Sequence, residues 1–332
     1  MTIKTLVVDD SRTMRALISS QLSAEHDIEV IGAASNAAEA RVMIRELDPD
    51  VITLDIEMPG MNGLDFLEKI MTLRPKPVIV VSSLAAKGTD ATIHALELGA
   101  FECYSKPKFG AGDGQLADLV RLAARHGVRS FGYKQLAGSK IFTNSRPATR
   151  LIAIGASTGG VEALSRVLAF WPRDCPPTMI VQHISGFFSE ALVRNLNSLC
   201  PATVISAESD TYLQSGHVYV APGSGRHLVV RGGERLKARL VNVPPQTGHR
   251  PSVDMLFGSV AETVSGAAVG VLLTGMGEDG AKGLLAMRQS GCVTIAQDRE
   301  TSTVYGMPRV AAEIGAADHI LAIDNIAEKI FY

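Results

Sequence analysis

LIAIGASTGGVEAL, residues 151–164, changes character halfway along. Its opening run of Leu, Ile and Ala predicts a strand buried on both faces. Ser157, Thr158, Gly159 and Gly160 then mark a tight turn, and VEALSRVLAF spaces its apolar side chains at helical intervals. A hydroxyl therefore stands where a strand hands over to a helix, beside the unpaired N–H groups of the helix start. Those amides can stabilise an oxyanion, and the glycines let a carbonyl approach the backbone. The G-x-S-x-G elbow of α/β-hydrolases uses the same logic, although G-A-S-T-G-G does not impose that fold. From this stretch alone Ser157 has two readings, a nucleophile or a helix cap.

The same alternation of strand and helix extends in both directions. Upstream, TLVVD, IEVIGAA, DVITLD, PVIVVSS and FECYSK read as strands, each followed by a helix-like segment, which predicts one doubly wound parallel sheet. Downstream of LIAIG come TMIVQHI, HVYVAPG, HLVVRG, AAVGVLLTG and CVTIAQD, a second doubly wound, mostly parallel α/β unit. HVYVAPGSGRHLVVRG reads as a hairpin turning at PGSG. Between the two blocks, a helix QLADLVRLAARHG precedes a loose, Gly-, Ser- and base-rich run. The expected division is residues 1–122, a linker at 123–148, and 149–332.

At 332 residues the chain exceeds one ordinary core. With 46% hydrophobic and 20% charged residues it reads as globular, and a net charge of −2 gives no electrostatic reason to expect nucleic acid. MTIKTLVVDD reaches two acids before any signal-peptide core, and no apolar run has the length of a membrane span. Membrane insertion is not expected. Cys103, Cys175, Cys200 and Cys292 are scattered without a C-x-x-C pair, which fits free thiols in a cytoplasmic protein.

In an open parallel sheet, ligands gather beyond the carboxyl ends of the strands. Asp9 and Asp10 follow the first strand of block one and Asp55 the third. Ser82 and Ser83 end the fourth, and Lys106 ends the fifth, before Pro107. Clustered carboxylates are costly without a cation, and hard oxygen donors suit Mg²⁺. The bland alternative is solvated loop acids, with Asp10 capping the following helix. Taken together, VVDDS, LDIEMPGMNGLDFL, VVSS and YSKP resemble the receiver domain of two-component response regulators. The resemblance implies that Asp55 accepts phosphate from a histidine kinase. It further implies that Asp9, Asp10 and Asp55, with the Glu57 carbonyl, hold Mg²⁺, and that Ser82 and Lys106 contact the phosphate. Cys103 stands where many receivers carry an aromatic switch residue.

A nucleophilic serine needs a base and an orienting acid. His183 terminates the strand TMIVQH, and Asp279 follows another in GVLLTGMGEDGAKG, so Ser157, His183 and Asp279 would share one sheet edge. Each has a bland alternative: helix caps for Ser157 and Asp279, a satisfied core histidine for His183. Together they make acyl transfer the leading chemistry. IGASTGG, QHI, HVYVAPG, GHRPSVDMLF, LLTGMGEDGA and QDRETSTVYGMP resemble the catalytic domain of the bacterial chemotaxis protein-glutamate methylesterases, the CheB family.

That resemblance implies Ser157 as nucleophile, His183 as base and then acid, and Asp279 as orienting carboxylate, with Thr158 and the Met276 backbone shaping the oxyanion and histidine environment. It implies demethylation of glutamate methyl esters on chemoreceptors without a cofactor for the ester reaction, and, by the same acyl-enzyme logic, deamidation of receptor glutamines. It also implies that phosphorylation relieves an inhibition by the receiver. His249, Arg250 and Ser252 belong to a family motif whose role the residues do not state. His217 and His227 flank the expected hairpin turn without a third metal ligand. The rival readings are a phosphorylation-controlled binding module, an esterase for another substrate, and a transcriptional regulator; the last lacks a basic recognition helix.

Overall fold

The computed structural model describes residues 2–82, 88–106, 114–127, 149–184 and 186–332. Ser83, Pro107 and most of the expected linker lie outside them. Backbone contacts divide the chain into two compact units, Met1–Tyr133 and Lys134–Tyr332.

In the first unit, β1 (Ile3–Val8), β2 (Ile28–Ala34), β3 (Val51–Leu54), β4 (Val78–Ser82) and β5 (Glu102–Ser105) form a parallel sheet in the order β2-β1-β3-β4-β5. The order reverses between β1 and β3, so residues just past those two strands flank the crevice where ligands bind in such sheets. The helix Arg12–Ser23 is capped by Ser11, whose hydroxyl accepts from Met14 N; Asp10 is not its cap. The helix Gln115–His126 runs four residues past the expected limit at 122. Its Val120 and Ala123 are buried, and Arg121 pairs with Asp27 and Glu25.

In the second unit, β6 (Leu151–Ala156), β7 (Thr178–Gln182), β8 (Thr203–Ser206), β9 (Thr211–Tyr212), β10 (His217–Val220), β11 (His227–Gly232), β12 (Leu236–Val241), β13 (Ala268–Leu272), β14 (Val293–Gln297) and β15 (His319–Leu321) fall into two sheets. Among the described residues, seven form an all-parallel sheet, β15-β14-β13-β6-β7-β10-β8, and three an antiparallel one, β11-β12-β9. The continuous apolar runs arise because β6, β7 and β13 are buried along their whole length.

The hairpin expected at PGSG is not formed. β10 pairs in parallel with β7 and β8, so both its edges are taken, and β11 leaves the large sheet to pair with β12. The hairpin in this region turns instead after Gly232, whose φ of 119° suits glycine.

The helix Val253–Val264 lies between the sheets: its Leu256, Phe257 and Val260 share a core with Leu228 and Val230 of β11 and Leu151 and Ala153 of β6. Gly155 lets this helix start almost on the strand, since a Cβ there would sit 2.2 Å from Val253 Cγ1. That approach brings the N-terminus of the helix to the carboxyl edge of β6, beside the turn that carries Ser157.

Candidate functional site

Ser157 follows β6, His183 follows β7, and Asp279 lies in the loop after β13. The order β13-β6-β7 makes these strands neighbours, with the serine strand in the middle. The capping reading of Ser157 fails, because the helix Gly160–Leu168 begins from Gly159 with no side-chain cap. Asp279 is likewise no cap for the helix Ala281–Gln289, whose N-cap is Gly280.

Asp279 is 1% exposed, and its carboxylate is surrounded by donors. Oδ2 accepts from His183 Nε2 at 2.8 Å and Val253 N at 2.7 Å; Oδ1 accepts from the Ser252 hydroxyl at 2.8 Å, the Thr247 hydroxyl at 2.9 Å and Asp254 N at 3.2 Å. The amide donors are the unpaired N–H groups at the start of the helix Val253–Val264, whose dipole also favours an anion. Burial alone would raise the carboxyl's proton affinity. The bond and charge of His183, with Val253 N–H and Ser252, outweigh it and hold Asp279 well below the ordinary carboxylate range.

An ionised Asp279 requires the proton of neutral His183 on Nε2, leaving Nδ1 as the basic nitrogen. Nδ1 is buried and has no hydrogen-bond partner among the described residues. That is not how a satisfied core histidine looks. No hydrogen bond joins it to Ser157 in this structure, and such bonds commonly tighten only when substrate arrives.

The turn carrying Ser157 is braced from several directions. Gln182 Nε2 donates to Ser157 O at 2.8 Å and to His183 O at 3.1 Å, tying the two turns together. Ser157 N donates to Thr274 O at 3.0 Å, and the Thr274 hydroxyl donates to Thr158 O at 2.9 Å. Thr274 N in turn donates to Gln297 Oε1 at 2.7 Å. A Cβ on Gly275 would lie 2.7 Å from Ser157 Cβ, so only glycine lets the loop carrying Met276 pass this close. Gln182, Thr247, Thr274 and Gln297 had no assigned role from sequence, since each acts through a partner distant along the chain.

His249 stacks on His183, and Arg250 turns away to Asn242 Oδ1 and Val243 O. His227 is buried, with Nε2 donating to Pro244 O and Nδ1 accepting from Ser252 N; His217 bonds Ser215 O from the other sheet.

In the first unit, one carboxylate oxygen from each of Asp9, Asp10 and Asp55 lies within 4.8 Å of the others. Asp9 and Asp55 are buried and Asp10 is exposed. Lys106 Nζ sits 2.6 Å from Asp55 Oδ2 and 2.9 Å from Asp9 Oδ2, and Asp55 Oδ1 accepts from Glu57 N at 3.1 Å. Burial holds the Asp55 carboxyl above its ordinary value despite Lys106. Burial works against the Lys106 charge, but its bonds to Asp55 and Asp9 prevail and raise its value. Ser82 is buried at the end of β4, the strand beside β3. Cys103 is half-buried on β5, its thiol donating to Thr92 O at 3.5 Å.

Residues 152–330 match the CheB methylesterase family, and residues 5–113 match the response regulator receiver domain. A protein-glutamate methylesterase/protein-glutamine glutaminase of Rhizobium etli is 51% identical, over 98% of this chain and 95% of its own. Its counterpart in Caulobacter vibrioides is 49% identical, over 99% and 97%. The crystal structure of the Thermotoga maritima CheB methylesterase catalytic domain is similar at a TM-score of 0.54 and 34% identity, covering 55% of this chain and 97% of that one.

Proposed function

Since this chain belongs to the CheB methylesterase family, with a response regulator receiver domain before the catalytic one, we propose that it is the phosphorylation-regulated hydrolase that removes methyl groups from glutamate side chains of chemoreceptors. The observation that carries the reading is the buried Asp279–His183 pair beside an uncapping Ser157.

Ser157 Oγ attacks the ester carbonyl, and its proton passes to His183 Nδ1. The imidazolium formed is stabilised by the fixed charge of Asp279. The N–H groups of Thr158 and Met276, which make no backbone hydrogen bond among the described residues, are assigned to the developing oxyanion. Methanol leaves with the proton from His183. Water, deprotonated by the same nitrogen, then frees the glutamate and restores the serine. Deamidation of a receptor glutamine follows the same path with ammonia as leaving group, as the names of the relatives suggest.

In the receiver, Asp55 is assigned as phosphate acceptor from a histidine kinase, with Lys106 and Ser82 contacting the phosphoryl group. The donor set, three clustered carboxylates of which one faces solvent, fits Mg²⁺. Asp9, Asp10 and Asp55 with the Glu57 carbonyl would hold the ion, which would neutralise charge on the incoming phosphoryl group. The receiver is assigned to residues 1–122, where the helix Gln115–His126 is already under way, and the catalytic domain to residues 149–332. No helix among the described residues is long and apolar enough to cross a membrane. This fits an enzyme that works on the cytoplasmic parts of its receptors.

The test is methanol release from a methylated chemoreceptor by the parent and by Ser157→Ala. The variant should fall by several orders of magnitude, to at most ~10³–10⁴ over water. A variant within tenfold of the parent would move the nucleophile elsewhere.

A further inference from the structure

The imidazole rings of His183 and His249 are stacked, with centroids 3.8 Å apart and planes within 8° of parallel. His249 stands on a short loop closed by Gln246 N donating to His249 O at 3.1 Å and His249 N donating to Gln246 O at 2.8 Å. Both flanks of this loop are fastened to the triad acid. Thr247, at a φ of 48°, gives its hydroxyl to Asp279, and Ser252 does the same from the helix start. The segment that presents His249 is thus anchored to the carboxylate that holds the edge of the His183 ring.

These contacts restrain different motions. The bond from Nε2 to Asp279 fixes one corner of the His183 ring but allows rotation about that corner. A ring lying flat on its face blocks that rotation. The direction of Nδ1, the nitrogen left for Ser157, depends on the ring plane. We propose that His249 is a positioning residue for the reaction: its stacked ring holds the plane of His183 so that Nδ1 faces the serine hydroxyl. The inference rests on the triad reading above.

The electrostatics agree with the geometry. Burial, then the charge of His183, lower the proton affinity of His249, with Asp279 acting in the other direction. A neutral ring face attracts the imidazolium that His183 becomes, whereas a second cation would repel it.

The test uses the full-length protein and its His249→Ala and His249→Phe variants. Two rates are read: labelling of Ser157 by a small fluorophosphonate, and methanol release from methylated receptor with kcat and KM separated. His249 is only half-buried on a surface loop, so neither change opens a core void, and melting curves check this. Ala should slow both labelling and kcat by ~10–100-fold with KM unchanged, the scale of a misplaced catalytic group. Phe, which restores a flat ring without a titrating nitrogen, should recover to within about threefold of the parent.

The proposal is overturned if His249→Ala labels at the parent's rate, or if Phe is as slow as Ala. A rise in KM with unchanged labelling would make His249 a substrate contact instead. Should the parent itself not label while Ser157→Ala behaves identically, the triad reading fails and takes this inference with it.

Discussion

Two buried aspartates, one directly after a parallel strand and one in the loop that follows another, are driven in opposite directions. Asp55 and Asp279 are equally shielded from water. Among the described residues Asp55 has two hydrogen-bond donors, Glu57 N and Lys106 Nζ, and has Asp9 beside it, so burial prevails and its proton affinity rises. Asp279 has five donors, two of them helix-start amides, and its proton affinity falls. The difference is one of supply, not of residue type. In the role proposed for Asp55, a carboxylate that itself attacks phosphorus benefits from being under-solvated and reactive. In the role proposed for Asp279, a carboxylate that stays charged while a neighbour gains a proton is served by having its lone pairs occupied.

The largest effect is expected at Asp279. Replacing it by Asn keeps the shape but removes the charge and favours the other tautomer of His183, so kcat for methanol release should drop by ~10⁴. A loss under tenfold would show that Asp279 does not orient the base. Asp55→Asn is the matching change in the other unit. Phosphorylation by a small phosphodonor should vanish and with it the stimulation of ester hydrolysis, while the unstimulated rate persists. Incorporation of acid-labile phosphate at the parent's rate would exclude Asp55 as acceptor.

Smaller changes sharpen the contrast. Ser252→Ala removes a helix cap and one donor to Asp279, and should lower stability by ~1–2 kcal/mol and kcat by about tenfold. Denaturant midpoints and methanol kinetics measure the two losses separately. An unchanged kcat would mean that four donors suffice.

The two acids should also differ in their pH signatures. A lowered folded value means that Asp279 contributes stability fully above the ordinary carboxylate range, lost as pH falls toward its folded value. A raised folded value means the reverse for Asp55: its ionised form costs stability above the folded value, and the cost disappears below the ordinary range. In metal-free buffer, Asp55→Asn should therefore melt above the parent at neutral pH, and the gap should close on acidification. A variant that melts lower at neutral pH would show that the bond to Lys106 outweighs the burial of the charge.

Much of this was readable in the chain. Strands flanked on both sides announce themselves by unbroken apolar runs, and the residues that end them, Asp9, Asp55, Ser157 and His183, stood out for that reason. What failed to read was of two kinds. β8, β9 and β15 are short, and β12 carries Lys237 and Arg239 within it, so none has a run long enough to signal. The PGSG turn was genuine but misleading: a hairpin needs a free edge, and the edges of β10 are claimed by strands that precede it by up to forty residues. Gln182 and Thr247 were opaque because nothing in their own neighbourhood mentions Ser157 or Asp279.

The order in which the catalytic strands leave the ribosome differs from their order in the sheet. β6 and β7 are close in sequence and pair with each other, so Ser157 and His183 can come together early in synthesis. β13, which brings Asp279, closes on the other side of β6 only after Ser252 and the whole small sheet have been made. Contacts so far apart along the chain form late. Under the proposed triad, a nascent chain can thus hold the serine and the histidine side by side before the acid that orients the base has been made.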